Sequence, residues 1–177
     1  MKRLTITNPF GDSPIYYLPE TDSTMNDAAV LAAQGATSGT IIVAGFQHAG
    51  RGRFAERKWV SLPGEGLLFT LILDAEIEKI PPALIPLLTG LGIGLYVEEH
   101  TGRRASIKWP NDVIVEGGKI SGVLCESKAD RIFVGIGLNC LKSGAGKQPA
   151  PLQPISLSEL VLPVAARCRL SDRYWDS

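Results

Sequence analysis

The side chains in this chain that could do chemistry sit in a few short polar stretches. The richest is Gly50-Arg51-Gly52-Arg53, followed closely by Arg57-Lys58-Trp59. Glycines let a backbone approach its ligand, and arginines offer planar paired donors to phosphate or carboxylate. Such a loop suits a small ligand with several negative charges. Lys108-Trp109-Pro110-Asn111-Asp112 adds a cation, a rigid corner and a carboxylate. Asp112, with Asn111 beside it, offers hard oxygen ligands to a magnesium ion carried on nucleotide phosphates. Gly117-Gly118-Lys119-Ile120-Ser121-Gly122 supplies a lysine with a bare position three residues on. In Gly135-Ile136-Gly137-Leu138-Asn139 two glycines fall at the spacing that puts them on one face of a strand. Repeated glycine on one face implies that another body lies close to the backbone. Ser23-Thr24 reads equally as a helix cap and as a polar contact for the far end of a ligand.

Composition narrows the choices. The 177 residues fit one domain able to bury a core. Formal net charge is +0, from 18 basic and 18 acidic residues, whereas a nucleic-acid binder carries a basic excess or a basic face. The cations are concentrated locally instead, which points to a small anion and to no nucleic-acid partner. No Walker GxxxxGK[ST] motif occurs, and Gly90, Gly92 and Gly94 lie in an apolar helix-like run, where they read as close-packing positions rather than a dinucleotide loop. Cys125, Cys140 and Cys168 match neither a zinc site nor a disulfide framework, so they read as reduced thiols in a cytoplasmic protein. Cys125 reads as a buried small hydrophobe. His48 and His100 have no serine or cysteine at motif spacing, which argues against a hydrolase triad. The N-terminus lacks a signal-peptide pattern, and no apolar run has membrane-spanning length.

Elements must hold these stretches together. Ile15–Leu18, Thr40–Ala44 and Gly66–Leu73 read as strands, and Met25–Gln34 as a helix ending at Gly35. Pro81-Pro82 opens a helix that runs to about His100 and stops at Gly102. Ser106–Trp109 is a short strand. Asp112–Glu116 and Lys119–Cys125 form a hairpin around a Gly117-Gly118 turn, and Arg131–Leu138 returns from a second hairpin. Lys142–Pro154 reads as an irregular loop, and a short helix begins at Ser156. Strands mixed with helices and at least two hairpins predict an α/β or α+β sheet with antiparallel pairs.

Taken together, these segments resemble the catalytic domain of the biotin protein ligases, the biotin–[acetyl-CoA-carboxylase] ligase family. The matching text is Asp22-Ser23-Thr24, Gln47-His48-Ala49-Gly50-Arg51-Gly52-Arg53, Arg57-Lys58-Trp59, Lys108 to Asp112, Gly118 to Gly122 and Gly135 to Asn139. The resemblance implies an α+β fold: a mixed, largely antiparallel sheet with packed helices, like the catalytic domain of class II aminoacyl-tRNA synthetases. It implies one catalytic domain over residues 1–177, without an N-terminal winged helix and without the family's C-terminal SH3-like domain. It implies ATP, Mg²⁺ and biotin as ligands, and two steps: formation of biotinyl-5′-AMP, then transfer to a lysine of the biotin carboxyl carrier protein.

By position, the resemblance assigns Ser23, Thr24, Gln47, Gly50, Arg51 and Lys119 to biotin, with Gly122, Leu124, Gly135 and Gly137 lining its slot. It assigns Arg53, Arg57, Trp59, Asn111, Lys119 and Asn139 to ATP and Asp112 to the metal, with Arg51, Arg53 and Lys119 catalytic. Phe54-Ala55-Glu56 makes the spacing from Arg53 to Arg57 one residue longer than is usual in the family. Relatives often pair through sheet edges, so a homodimer is compatible with the resemblance. Two other readings stay open: a non-catalytic or weakly active biotin-binding protein, and a lipoate or octanoate transferase of the same fold.

Overall fold

The computed structural model describes residues 1–54, 58–75, 80–142 and 152–161. Eight strands form one sheet: β1 (Lys2–Leu4), β2 (Ile15–Leu18), β3 (Ile41–Ala44), β4 (Gly66–Asp74), β5 (Ala105–Lys108), β6 (Asp112–Val115), β7 (Gly118–Lys128) and β8 (Arg131–Asn139). Their spatial order is β1-β2-β3-β4-β8-β7-β6-β5. Among the named strands only β2 and β3 pair in parallel, because the helix α1 (Thr24–Ala33) carries the chain between them; every other strand neighbour is antiparallel. This is the mixed, largely antiparallel architecture that the family resemblance implies, and it contains the antiparallel pairs that the sequence pattern predicts. The strand β1 escapes a pattern reading, being only three residues long and mostly exposed.

The two faces of the sheet follow from strand alternation. Met25 and Ala28 of α1 pack on Ile42, Ile72 and Phe133. The neighbouring residues Ile41, Leu71, Val134 and Ile132 face the opposite side, where Ile85 and Ile93 of α2 (Ile85–Thr101) join them. Ile42 and Ile72 are fully buried, and each such side chain contributes about 1.5–3 kcal/mol of burial free energy. The helix α1 stops at Gly35, whose φ of 89° suits only a residue without Cβ. A single 3₁₀ turn at Pro82–Leu84 precedes α2, and Gly102 in the left-handed region ends it, as the sequence predicts.

Gly90 and Gly94 are indeed packing positions. A Cβ would lie 3.4 Å from Ile107 Cδ1 at the first and 3.5 Å from Ala105 at the second. Gly92 faces open space and has no such role.

The first hairpin departs from expectation. Its turn is Glu116-Gly117, with φ of 49° and 79°, one residue earlier than Gly117-Gly118. Gly118 already belongs to β7, and its bare Cα admits Ile155, whose Cβ would lie 2.8 Å from an added methyl. Residues 152–156 thereby join the sheet beside the start of β7. Lys119 N–H donates to the Gln153 carbonyl at 2.9 Å, and Ile155 N–H donates to the Lys119 carbonyl at 3.0 Å. The short helix α3 (Leu157–Leu160) follows, closed by a capping box between Ser156 and Glu159.

Cys125 lies in β7 against the core, and burial pushes its thiol up to about 12. It is therefore a protonated packing residue at neutral pH, as its sequence context indicates. A raised folded-state value stabilises the fold below the unfolded value of about 9.0 and is lost as pH climbs through about 12. Urea midpoints measured from pH 8 to 11 should fall with rising pH, and Cys125→Ala should flatten that fall. An identical slope in the variant would contradict the assignment.

Candidate functional site

The polar stretches converge. A cleft of about 1010 Å³ is lined from the N-terminus of α1, the Gln47–Trp59 loop, the corner between β5 and β6, the strands β7 and β8, and residues 152–156. Among the described residues six cationic side chains line it (Arg51, Arg53, Lys58, Lys108, Lys119 and Lys142) against three acidic ones (Glu65, Asp112 and Glu159). In a chain of formal net charge +0, that local excess selects for an anionic ligand. Of the residues expected in the site, Ser23, Thr24, Gln47, Arg51, Arg53, Trp59, Asn111, Asp112, Lys119, Gly122, Leu124, Gly135 and Asn139 all border the cleft. Arg57 lies outside the described residues.

One end of the cleft is a fixed polar array. Gln47 Oε1 accepts from Thr24 N–H at 2.8 Å and from Thr24 Oγ1 at 3.0 Å, and Thr24 Oγ1 lies 2.8 Å from Thr70 Oγ1. Because Oε1 is engaged twice, the Gln47 amide is locked in one orientation. Ser23 occupies the N-cap position with extended backbone, yet its hydroxyl makes no capping bond, and it borders the cleft. The capping reading therefore fits its backbone and not its side chain.

The other end holds Lys119. Lys119 Nζ lies 2.6 Å from Asp112 Oδ1, with 28% and 16% of the two side chains exposed. A β-bulge re-aims this lysine. Pairing of β6 with β7 slips between Val113 and Ile114, leaving Ile120 as the extra residue. Lys119 then lies over Gly122, where an added Cβ would stand 3.1 Å from Nζ. Asn111 Nδ2 donates to the Val123 carbonyl at 2.9 Å, which pins the corner to β7. Asn139 Nδ2 donates to the carbonyls of Lys119 and Ile155, both at 3.1 Å, and so ties β8, β7 and the 152–156 segment together.

Trp59 lies between the two ends. Its ring rests on Gly137, where an added Cβ would stand 2.5 Å from Cε2, and reaches Gly122. Lys119 Nζ sits 5.5 Å from the ring centroid, a cation–π distance. Gly135 in turn admits Met25, whose Sδ would lie 2.8 Å from an added Cβ. The repeated glycines of β8 do receive another body, but it consists of two side chains of this protein. Gly50 has a similar role: an added Cβ would stand 2.6 Å from the Trp59 carbonyl oxygen, across the loop base where Trp59 N–H donates to the Gly50 carbonyl.

At the rim, Arg51 Nη2 donates to Glu126 Oε2 at 3.3 Å, and the Arg53 guanidinium stacks 5.7 Å from the exposed Trp109 ring. Neither contact uses all the donors of its arginine. Among the described residues no group of three His, Cys, Asp or Glu side chains could hold a metal ion. A lone carboxylate at Asp112 beside the Asn111 amide fits Mg²⁺ brought in on nucleotide phosphates, which needs only one or two protein carboxylates.

Lys142 and residues 152–156 also line the cleft, although Lys142–Pro154 carries only the pattern of an irregular loop. The capping box Ser156-x-x-Glu159 was the legible signal for residues 152–156. Among the described residues no helix is long and apolar enough to cross a membrane.

Comparison with known proteins places this geometry in context. The family model described as biotin/lipoate A/B protein ligase matches residues 17–142. The bifunctional ligase/repressor BirA of Bacillus subtilis is 37% identical over 140 residues, covering 75% of this chain and 42% of the relative. A biotin–[acetyl-CoA-carboxylase] ligase of Paracoccus denitrificans is 33% identical over 149 residues, covering 79% of this chain and 61% of the relative. The biotin protein ligase of Aquifex aeolicus, solved in complex with biotin and ATP, superposes with a TM-score of 0.69 at 36% identity, covering 83% of this chain and 60% of that one. The chain thus spans about two-fifths to three-fifths of the length of these relatives.

Proposed function

We propose, since the chain belongs to the biotin/lipoate A/B protein ligase family, that it joins biotin to AMP at the expense of ATP and passes the biotinyl group to a lysine of a biotin carboxyl carrier protein. The observation that carries this reading is the cationic cleft with a locked polar array at one end and Lys119 at the other. In the first step a carboxylate oxygen of biotin bonds to the α-phosphorus of MgATP. The bond from that phosphorus to the bridging oxygen breaks, and pyrophosphate leaves. Two unit charges 4 Å apart repel by about 4 kcal/mol at an effective dielectric of 20, so both acids must be neutralised before they can meet.

Lys119 stands between them and bridges the carboxylate and the α-phosphate. Arg53 leaves its stack on Trp109 to meet the phosphates. Asp112 and the Asn111 oxygen would hold the magnesium that the nucleotide carries, which would neutralise phosphate charge. Ser23, Thr24 and Gln47 orient the far, ureido end of biotin, with Leu124 and the Met25 side chain that covers Gly135 beneath it. Catalysis is then positioning and electrostatics, without a protein nucleophile. In the second step the carrier amine bonds to the acyl carbon, the carbon–oxygen bond to AMP breaks, and the amine proton passes to solvent.

Exchange of labelled pyrophosphate into ATP tests the first step. Exchange that depends on biotin is expected. Biotin binding without exchange would reduce the protein to a biotin-binding module, and stimulation by lipoate in place of biotin would make it a lipoate-type enzyme.

A further inference from the structure

A second hollow of about 290 Å³ shares two lining residues with the cleft. Met25 and Arg51 line both. Arg51 is an exposed partition, tethered to Glu126 at its far side. Met25 is the inner one: it is only 5% exposed, and its thioether packs against Gly135. On the far side the second hollow is floored by Phe133 and rimmed by Asn26, Ser127 and Lys128. It therefore combines an apolar base with polar groups that could receive a polar extension. Methionine is the least rigid of the large apolar side chains, so this partition yields more readily than the strand beneath it. Thr24, which fixes Gln47, is the residue next to Met25; the partition stands at the end of the slot that holds the ligand's far end.

Resting on the biotin reading above, we propose that Met25 sets the length limit of the slot, and that the second hollow is a latent extension of it for biotin derivatives enlarged at the ring end by a short alkyl or polar group. The limit is a matter of shape, since removing the thioether joins the hollow to the cleft without adding or removing charge.

The test measures dissociation constants by calorimetry for biotin and for biotin bearing a propyl group on a ureido nitrogen. The quantity compared is their ratio. In the wild-type protein the enlarged ligand should bind far more weakly. Met25→Ala should shift the ratio toward the enlarged ligand by about ten-fold, equivalent to roughly 1.4 kcal/mol. Met25→Leu, which keeps most of the volume with a shorter reach, should shift it in the same direction by a smaller factor, and decides the matter if the alanine variant does not fold. An unchanged ratio in the folded variants overturns the assignment of Met25 while leaving the biotin reading intact. Absence of biotin binding by the wild-type protein overturns both.

Discussion

Replacing Lys119 with alanine should lower the rate of biotin adenylation by about two to three orders of magnitude, the loss seen when a preorganised charge-stabilising donor is removed. Lys119 is the cation that the bulge at Ile120 turns onto the floor of the cleft. No other described lysine lies over a bare strand position in this way. Its removal also strands Asp112, which is 16% exposed and bonded to Nζ at 2.6 Å. An unpaired, mostly buried carboxylate is costly in its own right, so the single variant could lose activity through instability. Lys119→Gln keeps Asp112 and leaves it a neutral hydrogen-bond donor in place of the cation. This variant should hold near-normal thermal stability and stay inactive in single-turnover adenylation. Recovery of near-normal turnover would remove Lys119 from the chemistry and leave it a structural partner of Asp112.

Gly137→Ala should expel Trp59 from its seat. A methyl there would lie 2.5 Å from Cε2 and 2.7 Å from Cζ2, and ring carbons at that distance cannot be accommodated without movement. The Trp59 backbone is anchored to the Gly50 carbonyl, so relief must come from the side chain, whose ring has to leave the strand. Overpacking of this kind costs about 1–3 kcal/mol. The expected result is a lower melting temperature and a red shift in tryptophan emission. The diagnostic is a double-mutant cycle with Trp59→Ala. Once the indole is gone, the added methyl meets nothing from it, and the Gly137→Ala penalty should largely vanish. A penalty that persists would mean that Gly137 is bare for the sake of the ligand or the backbone, as its sequence pattern alone suggests.

That contrast shows what a sequence can carry. The spacing of Gly135 and Gly137 correctly announces that something approaches one face of β8, because period two is fixed by strand geometry. It cannot say whether the visitor is a ligand or a side chain, since both leave the same bare position. Lys119 is similar. Its place at the head of a strand beside Gly122 is legible, but its aim depends on a bulge that changes register across two strands. The turn at Glu116-Gly117 slipped by one residue for a related reason. Gly118 looked like a turn glycine, and its actual reason is contact with Ile155, 37 residues away in sequence. Strands such as Gly66–Asp74, and the helix stop at Gly102, were legible because local pattern and packing agree there. Ser23 was undecidable from sequence, and only the absence of a side-chain cap bond separates its backbone role from its side-chain role.

A crystal structure grown with biotin and ATP tests the central claim most directly. The account predicts a mixed anhydride in the cleft, with its phosphate between Lys119 Nζ and the Arg53 guanidinium and its ring end against Ser23, Thr24 and Gln47. Lys119 would then have exchanged its contact with Asp112 for the ligand. Ligand bound elsewhere, or bound in the cleft while Lys119 and Arg53 keep their present partners, would contradict it.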